Sequence, residues 1–158
     1  MDNLKISSPQ FENEDWIPDI CAGYSEDKSP ELRIDGIPAA AVTLAVVMDD
    51  LGHPIRPGFN HWVAWNIPTV GLIPGGLPAG KVVGSPIHIE QGTAYGKHRY
   101  RGPKPPFNWN HRYRFTVYAL DVSIQLSPDS DREELFRAIE GHILAKGELF
   151  GKYQRKHK

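Results

Sequence analysis

The sequence predicts a mainly β fold: a sandwich of two antiparallel sheets with peripheral helices. Three observations carry the prediction. Residues 41–48, 61–67 and 111–121 have strand composition or strict alternation. Fifteen glycines and fourteen prolines are spread along the chain, so they punctuate many short elements rather than marking one linker. One stretch, near 131–146, has a clear helical period.

Taken in order, short strands are expected near 4–7 and 31–34. Residues 41–48, AVTLAVVM, are apolar and rich in β-branched side chains, which suits a strand buried on both faces. In residues 61–67 alternation places His61, Val63, Trp65 and Ile67 on one face. A Gly/Pro loop follows at 69–80, then a weak strand at 81–84. Segment 86–110 is long and irregular, and loops of that length inside a compact domain are usually functional. Residues 111–121 alternate most clearly, with His111, Tyr113, Phe115, Val117 and Ala119 on one face. Ser130 and Glu133 have capping-box spacing, and Leu135, Phe136, Ile139 and Ile143 then recur at helical steps, with Gly147 as a stop.

A length of 158 residues fits a single domain, 1–158, and 40% hydrophobic residues suffice for a core. The one cysteine, Cys21, excludes an internal disulfide and fits a reducing compartment. The acidic, polar start MDNLKISSPQFENEDW does not read as a signal peptide, and the longest apolar run, 39–48, is too short to cross a bilayer. A cytoplasmic location without integral membrane association is expected. A net charge of −1 argues against nucleic-acid binding. The basic residues Lys152, Arg155, Lys156 and Lys158 read as a solvated chain end.

The chemistry concentrates at strand ends. Asp49 and Asp50 follow the apolar strand, His61 opens the next, and His111 opens a third with Tyr113 on the same face. If these strands are antiparallel neighbours, all five residues share one rim, where sites are commonly built. Each has an ordinary role when taken alone: a turn aspartate, a half-buried histidine, a core tyrosine. Their coincidence is what points to a site. Gly102-Pro103-Lys104-Pro105-Pro106 is a stiff segment suited to one wall of a pocket. The string His-Arg-Tyr-Arg occurs at 98–101 and 111–114; the first copy reads as loop, with Tyr100 packing near the Gly-Pro segment.

These features together resemble the phosphatidylethanolamine-binding protein family, which includes the Raf kinase inhibitor-like proteins, and the stretch 141–153 resembles its prokaryotic branch. The resemblance runs from Ile17-Pro18 and Cys21, Gly23, Asp27, Ser29 and Pro30, through Asp49 to Pro54, His61-Trp62-Val63 and Asn66-Ile67-Pro68, to Gly102-Pro103, Pro105-Pro106 and His111-Arg112-Tyr113. It implies a two-sheet sandwich with a small pocket for phosphate, acetate or phosphoryl-headgroup anions. The residues it implies for that pocket are Asp49, Pro54, His61, Gly102, Pro103, His111 and Tyr113. Where the family motif reads Asp-Pro-Asp-x-Pro, this chain reads Asp49-Asp50-Leu51-Gly52-His53-Pro54, one residue longer. Asp49 is taken as the pocket acid because it follows the strand directly, with the role of accepting a histidine N–H.

The resemblance further implies a regulatory protein with a kinase or protease as partner, and a homodimer is compatible with it. No cofactor is expected. The alternative is a metal-dependent or hydrolytic enzyme using His61, His111 and Asp49. Neither a His-Glu-x-x-His nor a Gly-x-Ser-x-Gly motif is present, and a lone cysteine is more often an inert core residue than a nucleophile. Binding is therefore favoured over catalysis.

Overall fold

The computed structural model describes residues 2–52 and 59–155. Eleven strands are assigned there: β1 Asp2–Asn3, β2 Lys5–Ser7, β3 Asp15–Trp16, β4 Leu32–Asp35, β5 Thr43–Asp50, β6 Phe59–Ile67, β7 Leu72–Ile73, β8 Val82–Val83, β9 Ile89–Gln91, β10 Asn110–Leu120 and β11 Ile143–Gln154. A short 3-10 turn spans Asp19–Cys21, and one helix, α1, spans Arg132–Ile139. The large sheet runs β1-β11-β10-β5-β6-β9-β8 with β3 also beside β11, and the small sheet runs β2-β4-β7. Pairing is antiparallel except where β1 and β3 add in parallel to β11.

The two-sheet prediction holds, and the burial of β5 shows why its sequence is continuously apolar. All eight of its residues are buried because the large sheet is covered on both faces. Leu44, Val46 and Met48 pack with Trp62, Phe115 and Val117 against the small sheet's Leu32, Ile34 and Ile73. Ala45 and Val47 pack with Val63 and Trp65 against Leu135 and Ile139 of α1. Each fully buried aliphatic side chain contributes about 1.5–3 kcal/mol.

Three expectations change. First, the helix is shorter than 131–146. Its capping box is Asp131 with Glu134, one residue later than Ser130 with Glu133: the Glu134 amide donates to Asp131 Oδ1 at 3.0 Å and the Asp131 amide to Glu134 Oε1 at 3.3 Å. Gly141, at φ +81°, turns the chain out of the helix. Second, Ile143 begins β11 instead of continuing α1. Ala145, Gly147, Leu149, Gly151 and Tyr153 are buried along it in alternation. Gly147, which reads as a helix stop, is needed here, as is Gly151: a Cβ at Gly147 would lie 2.3 Å from the Leu4 carbonyl oxygen, and one at Gly151 would lie 2.6 Å from Ile17 Cγ1. Both glycines let the amino-terminal segment close on β11, with further backbone bonds from Leu4, Glu14 and Ile17 to carbonyls of that strand. Third, β6 does not keep one face. Its register against β5 shifts between Met48 and Asp49 and again between Leu44 and Val46. These bulges bring His61 and Ile67 onto the side of Trp62 and Ala64, leaving Val63 and Trp65 toward α1.

The basic end is also more ordered than a solvated tail. Lys152 lies over the Trp16 ring at 4.4 Å and Arg155 over the Tyr24 ring at 4.5 Å; Lys156 and Lys158 lie outside the described residues. No helix among the described residues is long and apolar enough to cross a membrane.

Candidate ligand-binding site

Because β5 lies between β6 and β10 and is antiparallel to both, its end lies beside their beginnings. Asp50, His61, His111 and Tyr113 meet there around a cavity of about 270 Å³. Gly102, Lys104, Pro105 and Pro106 form one wall, and Tyr95 and Arg101 complete the lining.

The acid is Asp50 and not Asp49. Successive strand residues face opposite sides, so the pair splits across the sheet. Asp50 Oδ2 accepts from His111 Nδ1 at 2.8 Å and lies 3.9 Å from His61 Nε2, while Asp50 Oδ1 accepts from the Gly52 amide at 2.8 Å. Asp49 points to the helix side. There it accepts from Arg114 Nη2 at 3.1 Å and Asn60 Nδ2 at 3.2 Å, and it lies 3.1 Å from Arg132 Nε. The triad of His61, His111 and Asp49 is therefore not assembled. Pro103 is buried but does not line the cavity; its carbonyl accepts from the Gly23 amide at 2.8 Å. His53 and Pro54 lie outside the described residues.

The Gly-Pro wall is held from behind. The Gly102 amide donates to Asp27 Oδ1 at 2.6 Å, and Tyr24 Oη donates to the Pro105 carbonyl at 2.6 Å. A Cβ on Gly102 would fall 1.9 Å from the Cys21 carbonyl oxygen, so only glycine fits. Tyr100, the one buried residue of the first His-Arg-Tyr-Arg copy, donates to that same carbonyl at 2.8 Å. Cys21 itself is fully buried, its thiol pushed up to about 12 mainly by desolvation, and it stays a neutral core residue.

Hydrogen bonds fix the histidine tautomers. His61 Nδ1 is 2.8 Å from the Arg101 carbonyl and must donate to it. Its neutral ring then presents a bare Nε2, an acceptor, 3.5 Å from Tyr95 Oη. His111 donates through Nδ1 to Asp50, so its neutral Nε2 is bare as well. The Tyr113 hydroxyl is buried; the Lys104 backbone amide faces its oxygen, and none of the described residues accepts its proton. Burial, with the Asp50 charge second, raises the pKa values of Tyr113 and Tyr95, so both remain donors. Burial lowers the pKa of His61, partly offset by the Arg101 carbonyl and by Asp50.

The His61 shift has a measurable consequence. A histidine harder to protonate when folded destabilises the native state as pH falls below its unfolded value, near ~6.5, until the lower native value is passed. Melting temperatures of the wild type and His61→Gln should converge or cross in favour of the variant from about pH 7.5 to about pH 5.5. A constant difference across that range would refute the burial argument.

Sequence reasoning missed Tyr95 and Arg101. Arg101 closes the first His-Arg-Tyr-Arg copy, directly before Gly102, and that adjacency was a usable signal. Tyr95 sits in a tight turn closed by Ala94 and Lys97, and no sequence pattern singles it out. A second groove, of about 640 Å³ between Trp16 and Tyr153, has no comparable convergence of histidines and acids.

The family model described as phosphatidylethanolamine-binding protein matches residues 7–154. A UPF0098 protein of Pyrococcus abyssi is 44% identical over 155 residues, covering 97% of this chain and 86% of its own. One from Methanothermobacter thermautotrophicus is 37% identical, covering 96% and 99%. Among solved structures, a chain from Chlamydia trachomatis described as a phosphatidylethanolamine-binding protein homolog superposes with a TM-score of 0.86 at 28% identity, over 99% of this chain and 100% of its own. Escherichia coli YbcL, at 24% identity and a TM-score of 0.85 over 98% and 99%, shares the fold.

Proposed function

Since the chain belongs to the phosphatidylethanolamine-binding protein family, we propose that it is a binding protein whose pocket takes a small phosphate-like or carboxylate anion. The observation that carries this reading is the convergence of His61, His111 and the Tyr113 hydroxyl, whose proton has no acceptor among the described residues, on one small cavity. A buried hydroxyl whose proton lacks an acceptor loses about 1–3 kcal/mol, which an oxyanion at hydrogen-bond distance restores. Arg101 and Lys104 at the wall add positive charge.

Asp50 sets the condition for binding. With both histidines neutral, their free Nε2 atoms and the carboxylate are all acceptors and repel an anion. The anion therefore enters with a proton delivered to His61 or His111, converting an acceptor into a donor. Asp50 then holds His111 in place and balances the imidazolium charge. Among the lining residues there is no serine or cysteine to act as a nucleophile, which favours binding over turnover.

Calorimetric titration with sulfate, whose charge is constant over the range, isolates the protein's own proton. Affinity should rise by about tenfold per unit as pH falls from about 8 toward the histidine range, with one proton taken up. Inorganic phosphate should bind in the same pocket, and His111→Ala should weaken both by about tenfold or more. Binding that is absent, or indifferent to His111→Ala, sinks the reading.

A further inference from the structure

From the contacts of residues 153–155 we infer that the end of β11 sets the position of the pocket's proline wall, with Gln154 and Arg155 acting as positioning residues outside the cavity. This rests on the anion pocket proposed above and adds a control on it.

The wall Gly102-Pro103-Lys104-Pro105-Pro106 has three prolines, which carry no amide hydrogen. The segment has few donors of its own, so other parts of the chain reach in to its carbonyls. The Gly23 amide donates to the Pro103 carbonyl at 2.8 Å, and Tyr24 Oη donates to the Pro105 carbonyl at 2.6 Å. Further along, Gln154 Nε2 donates to the Asn108 carbonyl at 2.6 Å. Both side-chain donors depend on the end of β11. Gln154 is its last residue, and Tyr24 is covered by Arg155, whose guanidinium lies 4.5 Å from the ring centre. The strand end is itself fixed. Tyr153 Oη donates to Asp19 Oδ1 at 3.0 Å, and Gln154 stands opposite Asn110 in the β10–β11 register. The end of β11 thus fastens the loop that leads directly into His111.

The stretch between the two fastened carbonyls is strained. Phe107 lies there with φ +57° and is 68% exposed, so burial of its ring does little to offset the strain. Bulky residues rarely adopt that conformation, and it persists only where the surroundings impose it. The anchors at Pro105 and Asn108, with a turn bond from the Trp109 amide to the Pro106 carbonyl, are those surroundings. Releasing an anchor lets the loop relax. Relaxation shifts Lys104, Pro105 and Pro106, which line the cavity, and the Lys104 amide, which faces the Tyr113 oxygen. Gln154 and Arg155 are both exposed, so a change at the strand end reaches the anion without touching His61, His111 or Asp50.

Gln154→Met and Tyr24→Phe each remove one anchor without changing charge. Calorimetry should show sulfate affinity about fivefold lower in each variant and more than tenfold lower in the double variant. The melting temperature of Gln154→Met should stay within about 2 °C of the wild type, because the side chain is exposed. Hydrogen exchange at the amides of residues 107–109 should quicken in both single variants. The rise of sulfate affinity with falling pH should keep its wild-type slope, since the histidines are untouched. Wild-type sulfate affinity in the double variant overturns the inference while leaving the anion pocket standing. Faster exchange with unchanged affinity also overturns it, since the loop then moves without the wall. Loss of the pH slope overturns it by transferring the effect to the histidines. If the wild type binds no sulfate, the anion pocket falls first and the inference with it.

Discussion

Asp49→Ala is expected to lower stability by about 3 kcal/mol, a fall in melting temperature of about 6–12 °C for a domain of this size. The carboxylate is 1% exposed and is the shared partner of Arg114, Arg132 and Asn60. Removing it leaves two guanidiniums facing each other across the helix side of the sheet. Their side chains keep 27% and 22% exposure, so water compensates in part, and the loss sits at the lower end for a broken buried pair. Arg132 is the first residue of α1, so the same change loosens the helix from the sheet. Chemical denaturation measures the effect. Sulfate affinity, measured well below the midpoint, should stay unchanged, because Asp49 faces away from the pocket. If Asp49→Ala abolishes sulfate binding while the fold remains intact, the separation of the two aspartates is wrong.

Gly102→Ala is expected to cost about 3 kcal/mol or to prevent folding, although it adds a single methyl group. The clash is with backbone, 1.9 Å from the Cys21 carbonyl, and no rotamer change relieves it. The methyl carbon would also sit 2.8 Å from Asp27 Oδ1, against the carboxylate that receives the Gly102 amide. The wall must move, taking Lys104 and Pro105 with it, so surviving protein should lose sulfate affinity by more than tenfold. Gly96→Ala makes the matched control, since a Cβ there meets nothing within 4 Å and the expected loss reflects its φ of +68° alone, about 1 kcal/mol. Equal melting temperatures for the two variants would refute the steric argument.

The frame of the site was legible in the sequence because strand patterns and strand ends carry position. β5 and β10 announce themselves by burial and alternation, and their antiparallel pairing places His111 and Tyr113 where expected. The choice between Asp49 and Asp50 failed for a physical reason. β5 is buried on both faces, so its pattern has no polar side to show which parity faces the cavity. His61 reached the rim although simple alternation from Val63 and Trp65 sends it to the helix side, since bulges in β6 are invisible to a period-two reading. β11 was hidden by its own glycines, whose small size serves the neighbouring chain and not a turn. Tyr95 owes its position to loop conformation, which residue type does not encode.

β11 pairs with β10 along its whole length on one side and, on the other, with two segments near the start of the chain, residues 2–4 and 14–17. This places the first and last strands of the chain in direct register. In kinetic terms the fold has its most non-local contacts at the seam that completes the large sheet. Closing that seam requires nearly the whole chain to be ordered, which belongs to slow, millisecond-to-second folding. Until it closes, β11 presents a bare edge to other chains, and self-association competes with the last step of folding.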